Sequence, residues 1–136
     1  MITRSDFDGL VCATILDELG MIDDILYVHP KDLQDNKIEV TENDVLANVP
    51  LVEGCGLWFD HHSSEQERLQ LEGKFKGACE EAPSAAHVLY KYYMANEEYA
   101  KKLKKFEELI KVVYIAGSPF SEILDKEQPL CIIGIV

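Results

Sequence analysis

Apolar residues along the chain fall into short continuous runs and longer stretches in which they recur every three or four positions. Short runs at residues 25–28, 44–49 and 57–59 are typical of strands buried in a parallel sheet. Ile2 and Thr3 resemble the end of another strand, cut short by the start of the sequence. These four segments predict the strands of a central sheet.

Three stretches have helical spacing. The first covers residues 10–19 and ends at Gly20, a residue common after helix C-termini. The second begins behind Pro83 with Ser84 as its N-cap, and the third is capped by Asn96. The inward positions predicted for the last two helices are Ala85, Val88, Leu89, Tyr92 and Tyr93, then Leu103, Phe106, Ile110 and Val113.

The remaining segments have weaker patterns. Residues 30–36 are polar and predict a turn, whereas residues 37–40 predict a small edge strand. Residues 63–82 predict a charged loop with some helix. We expect the third helix to end at Pro119 and the apolar tail at 130–136 to form a strand.

Strands that alternate with helices predict an α/β fold, with a mostly parallel sheet and helices on both faces. The 136 residues suit a single domain spanning 1–136. The apolar tail stops abruptly, which suggests a truncated form of a longer chain. Apolar surface left uncovered by such a truncation would favour a homo-oligomer.

Composition narrows the classes of function. The net charge of −12 argues against binding of duplex nucleic acid, because phosphate backbones require a basic face. Cations held by carboxylates would still allow a phosphorylated substrate. No apolar run reaches the ~20 residues of a membrane span, and no secretion signal is recognisable. Four scattered cysteines favour a reducing cytoplasm over a disulfide framework.

Acidic and imidazole side chains stand where two strands are expected to end. Asp60, His61 and His62 close the run at 57–59, and Asp6 and Asp8 lie in the turn after the first strand. In open α/β sheets, ligands bind at this edge. Carboxylates favour hard cations, and imidazole beside them shifts the preference toward Mn²⁺.

Each cluster alone has a simpler interpretation. Asp6 and Asp8 would cap the following helix, and Asp60, His61 and His62 would form a surface turn. Both clusters together, each after a strand of one small domain, favour a metal site that handles phosphate.

Three motifs follow one another along the chain: RSDFDG at 4–9, FDHH at 59–62 and APSAA at 82–86. Together they resemble the DHH phosphoesterase superfamily, and within it the proteins described as exopolyphosphatase-related. The resemblance covers most of the chain and corresponds to the catalytic, N-terminal lobe. The superfamily's C-terminal lobe, which closes over substrate, is absent from this sequence.

The resemblance implies roles for individual residues. The implied metal ligands are Asp6, Asp8, Asn48, Asp60 and His61. The implied catalytic residues are Asp60, His61 and His62, and the implied substrate-binding residues are Arg4, His62, Ser64 and Ser84. In this superfamily two manganese ions activate a bridging water, which attacks phosphorus in line.

Three positions depart from the superfamily's pattern. Arg4 stands where a histidine ligand is usual, and arginine binds phosphate rather than a cation. Asn48 stands where an aspartate is usual, with Asp44 as the other candidate, and Gly117 occupies the place of a further aspartate. We therefore expect one ion rather than two, Mn²⁺ with Mg²⁺ as a substitute, and impaired activity.

The resemblance thus implies a metal-dependent hydrolase of phosphoesters or phosphoanhydrides, like an exopolyphosphatase or an oligonucleotide phosphodiesterase. Its substrate would be polyphosphate, a nucleotide or a short oligonucleotide. The alternative is a catalytically inactive, truncated remnant that binds a metal or a phosphate ligand. His29 is expected to be structural, and His87 either solvated or close to the site.

Overall fold

Parallel strands form one sheet at the centre of the computed structural model, which describes residues 1–61 and 65–116. The sheet has five strands in the order β2-β1-β3-β4-β5, and every pair of neighbours is parallel. The strands are β1 (Ile2–Thr3), β2 (Leu26–Tyr27), β3 (Val45–Ala47), β4 (Leu57–Asp60) and β5 (Gly77–Cys79).

Helices connect the strands and cover the sheet. They are α1 (Phe7–Glu18), α2 (Pro30–Gln34), α3 (Glu65–Leu71), α4 (Ala85–Met94), α5 (Glu97–Leu103) and α6 (Glu107–Ala116), with a 3-10 turn at Lys104–Phe106. Every helix in the described part of the chain is too short or too polar to cross a lipid bilayer.

Strand β1 lies between β2 and β3 in the sheet. The chain therefore first adds β2 on one side of β1 and then crosses over to add β3 on the other side. Such a reversal opens a crevice at the carboxyl ends of the strands. The register pairs Thr3 with Ala47 and Ala47 with Phe59. The hydroxyl of Thr3 also donates to the Ala47 carbonyl over 2.8 Å in the interior. The residues that follow β1 and β3 therefore stand side by side with the end of β4.

Each face of the sheet carries its own apolar core. On one face, Phe59 packs among the side chains of α1, α4, α5 and α6. On the other, Trp58 packs with Leu33 of α2 and with Leu71 of α3. Trp58 and Phe59 are both fully buried, because consecutive strand residues point to opposite faces. The predicted α/β sheet with helices on both faces is confirmed.

Several local predictions were wrong. Residues 30–36 were expected to form a turn, but α2 forms there because His29 caps its first turn and Pro30 occupies its first position. Residues 37–40 form no strand. The third predicted helix is divided by the 3-10 turn.

Strand β5 was missed within the predicted loop at 63–82. Its sequence is Gly77-Ala78-Cys79, which contains no β-branched or aromatic residue to indicate a strand. Gly77 has φ +126°, and a side chain there would collide with the backbone of Trp58. Tight backbone contact with β4 therefore selects glycine at this position.

Some predictions lie outside the described residues. They are the end of the third helix at Pro119, the strand at 130–136, and the roles given to His62, Ser64 and Gly117. Of the four cysteines, Cys12, Cys55 and Cys79 lie in the described part of the chain, and no two of them form a disulfide with each other.

Candidate functional site

The carboxyl edge of the sheet brings together most of the polar residues selected from the sequence. Arg4 and Asn48 follow directly after β1 and β3, and Asp60 is the last residue of β4. His61 follows Asp60, and its backbone amide donates to the Asp60 carboxylate over 2.9 Å. The parallel register places these residues in one row.

Asp6 forms the N-cap of α1. Its Oδ1 accepts a hydrogen bond from the Gly9 amide over 2.8 Å, which satisfies one of the unpaired donors of the first turn. A side chain at Gly9 would collide with the carbonyl oxygen of Arg4 and the hydroxyl of Thr3. Glycine is needed because the helix starts directly against the end of β1.

Asn48 binds the same carboxylate from the neighbouring strand. Its side-chain amide donates to Asp6, with Nδ2 3.0 Å from Oδ1 and 3.1 Å from Oδ2. Asn48 is 7% exposed and has φ +59°, a left-handed conformation that asparagine tolerates better than most residues. A sharp bend after β3 thus aims the amide at Asp6.

Arg4 supplies positive charge at this edge. Its Nε lies 3.5 Å from Oδ2 of Asp6, and half of its side chain is exposed. The guanidinium is therefore held at one end by an acid while it remains accessible to an anion. Planar guanidinium groups bind phosphate oxygens in pairs.

Asp8 is held by the N-terminus of α4. Its two oxygens accept hydrogen bonds from the amides of Ala85, over 2.9 Å, and Ala86, over 2.8 Å. A carboxylate is favourable at this position because the helix dipole is positive there. Burial nevertheless raises the pKa of Asp8 above its ordinary value, with the charge of Asp6 adding to the effect while the two amides oppose it.

Cys12 lies beneath the acidic side chains, fully buried, with Sγ 3.8 Å from Oδ1 of Asp8. Burial raises the pKa of this thiol well above its ordinary value, and the charges of Asp8, Asp6 and Asp60 raise it further.

His61 faces Asp8 across the edge. Its Nε2 lies 3.9 Å from Oδ2 of Asp8, and about a third of the His61 side chain is exposed. The pairing links the end of β4 to the start of α1 and α4.

Ser84 and His87 form a second polar pair beside Asp8. The Ser84 hydroxyl accepts from the His87 amide over 3.1 Å and lies 2.6 Å from His87 Nδ1. Ser84 is 3% exposed, so its hydroxyl is engaged in capping α4. Burial lowers the pKa of His87 below its ordinary value, and the nearby His61 adds to this. The sequence left two interpretations of His87 open, a solvated residue or one close to the site. The signal for the second was its position three residues after the N-cap, from which its ring can face the cap.

Two of the cavities beside this row of residues share three of their lining residues. The inner cavity has a volume of about 270 Å³ and is lined by Arg4, Asp6, Asp8, Asn48, His61 and Ser84, among others. The side cavity has about 510 Å³ and lies between α2, α3 and the ends of β3 and β4. Arg4, Asn48 and His61 line both cavities, so the two are adjacent at the carboxyl edge.

The edge contains side chains of the types that bind hard cations. Asp8, Asp60 and His61 offer carboxylate oxygens and an imidazole nitrogen. Asp6 already accepts hydrogen bonds from Gly9 and Asn48, and Asn48 turns its donor nitrogen toward it. Within residues 1–61 and 65–116, no group of three His, Cys, Asp or Glu side chains is arranged to hold a metal ion. An ion bound there would require these side chains to move or a further ligand to join them.

No family model matches the chain, and no curated protein matches it. Among solved structures, the pGpG-specific phosphodiesterase PggH from Vibrio cholerae is similar, with 34% sequence identity and a TM-score of 0.71. The similarity covers 98% of this chain and 42% of that protein. The chain thus spans less than half the length of the phosphodiesterase to which it is similar.

Proposed function

The chain corresponds to the catalytic lobe of the DHH phosphoesterase superfamily, and on this premise we propose that it hydrolyses a phosphoester in a small substrate. The observation that carries this proposal is the meeting of three strand ends at one edge. There, Asp8 and His61 approach within 3.9 Å, and Arg4 stands beside them with an exposed guanidinium. An acid–imidazole pair beside a cation suits a phosphate group.

The proposed cofactor is a single Mn²⁺, with Mg²⁺ as a substitute. Asp8, Asp60 and His61 would hold it, because hard oxygen ligands with one imidazole favour Mn²⁺ over Ca²⁺ or Mg²⁺. Such an ion lowers the pKa of bound water and neutralises charge that develops on phosphate. The sequence also assigned Asp6 and Asn48 to the metal. Their mutual hydrogen bonds argue for a supporting role instead.

The chain's own residues would orient the substrate. Arg4 is anchored by Asp6, so its guanidinium can bind phosphate oxygens without a large loss of side-chain entropy. The α4 amides keep Asp8 in place and favour its charged form. Ser84 holds the start of α4, and its contribution to substrate binding is therefore positional.

The substrate classes expected from the sequence were polyphosphate, nucleotides and short oligonucleotides. The similar protein is named as a phosphodiesterase specific for pGpG. This supports a small phosphodiester substrate for the present chain. Exopolyphosphatase-like cleavage of a phosphoanhydride has less support than hydrolysis of a phosphodiester.

A second candidate function is binding without turnover. It is favoured by Asn48, whose neutral amide takes the place next to Asp6 where a carboxylate could share a second ion. In this case the edge would bind phosphate through Arg4 and perform no hydrolysis.

Hydrolysis of an aryl phosphodiester separates the two candidates. We expect the full chain to release the phenol in the presence of Mn²⁺ and to lose this activity in EDTA. Asp60→Asn should abolish turnover, because it removes a negatively charged ligand while it preserves side-chain size. The matched control is Asp35→Asn, at the exposed C-terminal end of α2.

Calorimetric titration of Mn²⁺ and inorganic phosphate completes the test. Mn²⁺ binding with turnover supports the hydrolase, and phosphate binding without turnover supports the binding function. Activity that persists in EDTA or in Asp60→Asn would contradict the proposed metal-dependent role. Absence of both binding and turnover would contradict both candidates.

A further inference from the structure

The side cavity has the size of a small-molecule site. Its volume of about 510 Å³ falls within the roughly 300–1,000 Å³ that is typical of ligand pockets. It adjoins the inner cavity through Arg4, Asn48 and His61, which line both. A substrate whose phosphate lies in the inner cavity would extend its remaining part into the side cavity.

The walls of the side cavity combine apolar and amide groups. Pro30, Leu51 and Leu71 supply apolar surface from three separate segments. Gln34, at the end of α2, and Gln70, on α3, add two side chains that each carry a donor and an acceptor. Apolar surface with a few hydrogen-bonding groups is typical of small-molecule sites and is suited to an aromatic heterocycle.

The charge of the cavity argues against a polyanionic chain. Among the described residues that line it, Arg4 is the single cation, whereas Asp60 and Glu67 are acidic. A chain of several phosphates would bring several negative charges beside these acids. A substrate with one reacting phosphate and an uncharged ring would place only its phosphate near Arg4.

We propose that the side cavity binds the nucleobase of a nucleotide substrate, with Gln34 and Gln70 hydrogen-bonding to the base. This inference rests on the proposed function, because it assumes that the phosphate lies at the adjacent edge. It names the substrate class: a nucleotide or dinucleotide, and not polyphosphate. The base lies on the α2 and α3 side of the sheet, away from the N-terminus of α4.

The test compares ligands with and without a base. Binding to the full chain is measured in EDTA, where no hydrolysis is expected, for a 5′-phosphorylated guanine dinucleotide, ribose 5-phosphate and tripolyphosphate. We expect the dinucleotide to bind at least 10-fold more tightly than either base-free ligand. Gln34→Leu and Gln70→Leu should each weaken dinucleotide binding by about 3- to 10-fold, which is the usual range for one lost hydrogen bond. Neither should change the affinity for tripolyphosphate or ribose 5-phosphate.

Asn43→Leu is the matched control. It also replaces a neutral amide by leucine, but it lies before the start of β3, at the opposite end of the sheet. Circular dichroism and thermal unfolding confirm that all three variants fold. Because both glutamines are exposed, we expect unchanged unfolding midpoints.

Equal affinity for the dinucleotide and ribose 5-phosphate would overturn the base site. So would a loss of dinucleotide binding in Asn43→Leu as large as in the glutamine variants. If the aryl phosphodiester is still hydrolysed in those cases, the proposed function stands while the base site fails. If no ligand binds and no ester is hydrolysed, both fail together.

Discussion

The side-chain amide of Asn48 donates hydrogen bonds to the Asp6 carboxylate, with Nδ2 3.0 Å and 3.1 Å from its two oxygens. The two residues are separated by 42 positions and belong to neighbouring strand ends. The amide is a neutral donor that balances part of the carboxylate's charge without any ion. Oδ2 of Asp6 also lies 3.5 Å from Nε of Arg4, so this one carboxylate connects the two side chains.

Asn48→Asp should convert this stabilising pair into a repulsive one. We expect the free energy of unfolding in EDTA to fall by about 1–3 kcal/mol, since a hydrogen bond to a charged group is lost in a nearly buried position. A cation that binds between two carboxylates would restore stability by mass action. Urea denaturation with and without Mn²⁺ measures both effects.

The control for this change is Asn36→Asp. Asn36 has nearly the same left-handed backbone, φ +56° against +59° for Asn48, but it is exposed. The free energy of unfolding of Asn36→Asp should not fall in EDTA and should not rise further when Mn²⁺ is added. Equal behaviour of the two variants would contradict the role given to the Asn48 pair.

Arg4→Lys should weaken phosphate binding by roughly 10-fold, because lysine keeps the charge but loses the paired hydrogen bonds of the guanidinium. Stability should change little, since the Arg4 side chain is half exposed. Calorimetric titration with inorganic phosphate measures the affinity. Lys31→Met, which removes an exposed cation from α2, should leave it unchanged. Identical affinities for Arg4→Lys and the wild type would exclude paired binding by Arg4.

Gly9→Ala should destabilise the protein by about 1–3 kcal/mol, the usual cost of overpacking. The added methyl group would meet the Arg4 carbonyl and the Thr3 hydroxyl, so α1 must move away from β1. That movement also disturbs the Asp6 cap and should lower phosphate affinity. Leu10→Ala, at the next and 45% exposed position, is the control. A stability loss no greater than that of the control would show that this close approach is not required.

His87→Gln should change the pH dependence of stability. The folded-state pKa of His87 is lowered from 6.5 by burial and by His61, so folding favours the neutral ring. The stability that the neutral His87 ring contributes is fully present above about pH 6.5, and it is lost as the pH falls through the folded-state pKa. We therefore expect the wild type to lose more stability than His87→Gln between pH 7.5 and pH 5 in urea denaturation. Parallel profiles would contradict a half-buried His87 that folding keeps neutral.

Sequence patterns predicted the parts of the fold that depend on local interactions. The caps at Ser84 and Asn96 were predicted, and a cap at Asp6 was the simpler alternative to the predicted metal ligand. All three stand where short polar side chains can bond to amides two or three residues ahead. Such bonds depend on a few consecutive residues, so they can be inferred without knowledge of packing. Where the local pattern was weak, as at β5, the prediction failed, because Gly77 is selected by contact with β4 and not by strand propensity.

The sequence by itself determined the strongly patterned helices and strands, but not α2 or β5, and it showed that acids and imidazoles follow strand ends, because periodicity and capping are local properties. Only the tertiary structure decided which of those side chains meet. Asp8 bonds to Ala85 across 77 residues and Asn48 to Asp6 across 42, through the order and register of parallel strands. The side cavity likewise exists only because α2 and α3 pack on the same face of the sheet. Contacts between distant residues depend on packing geometry, which no local pattern specifies.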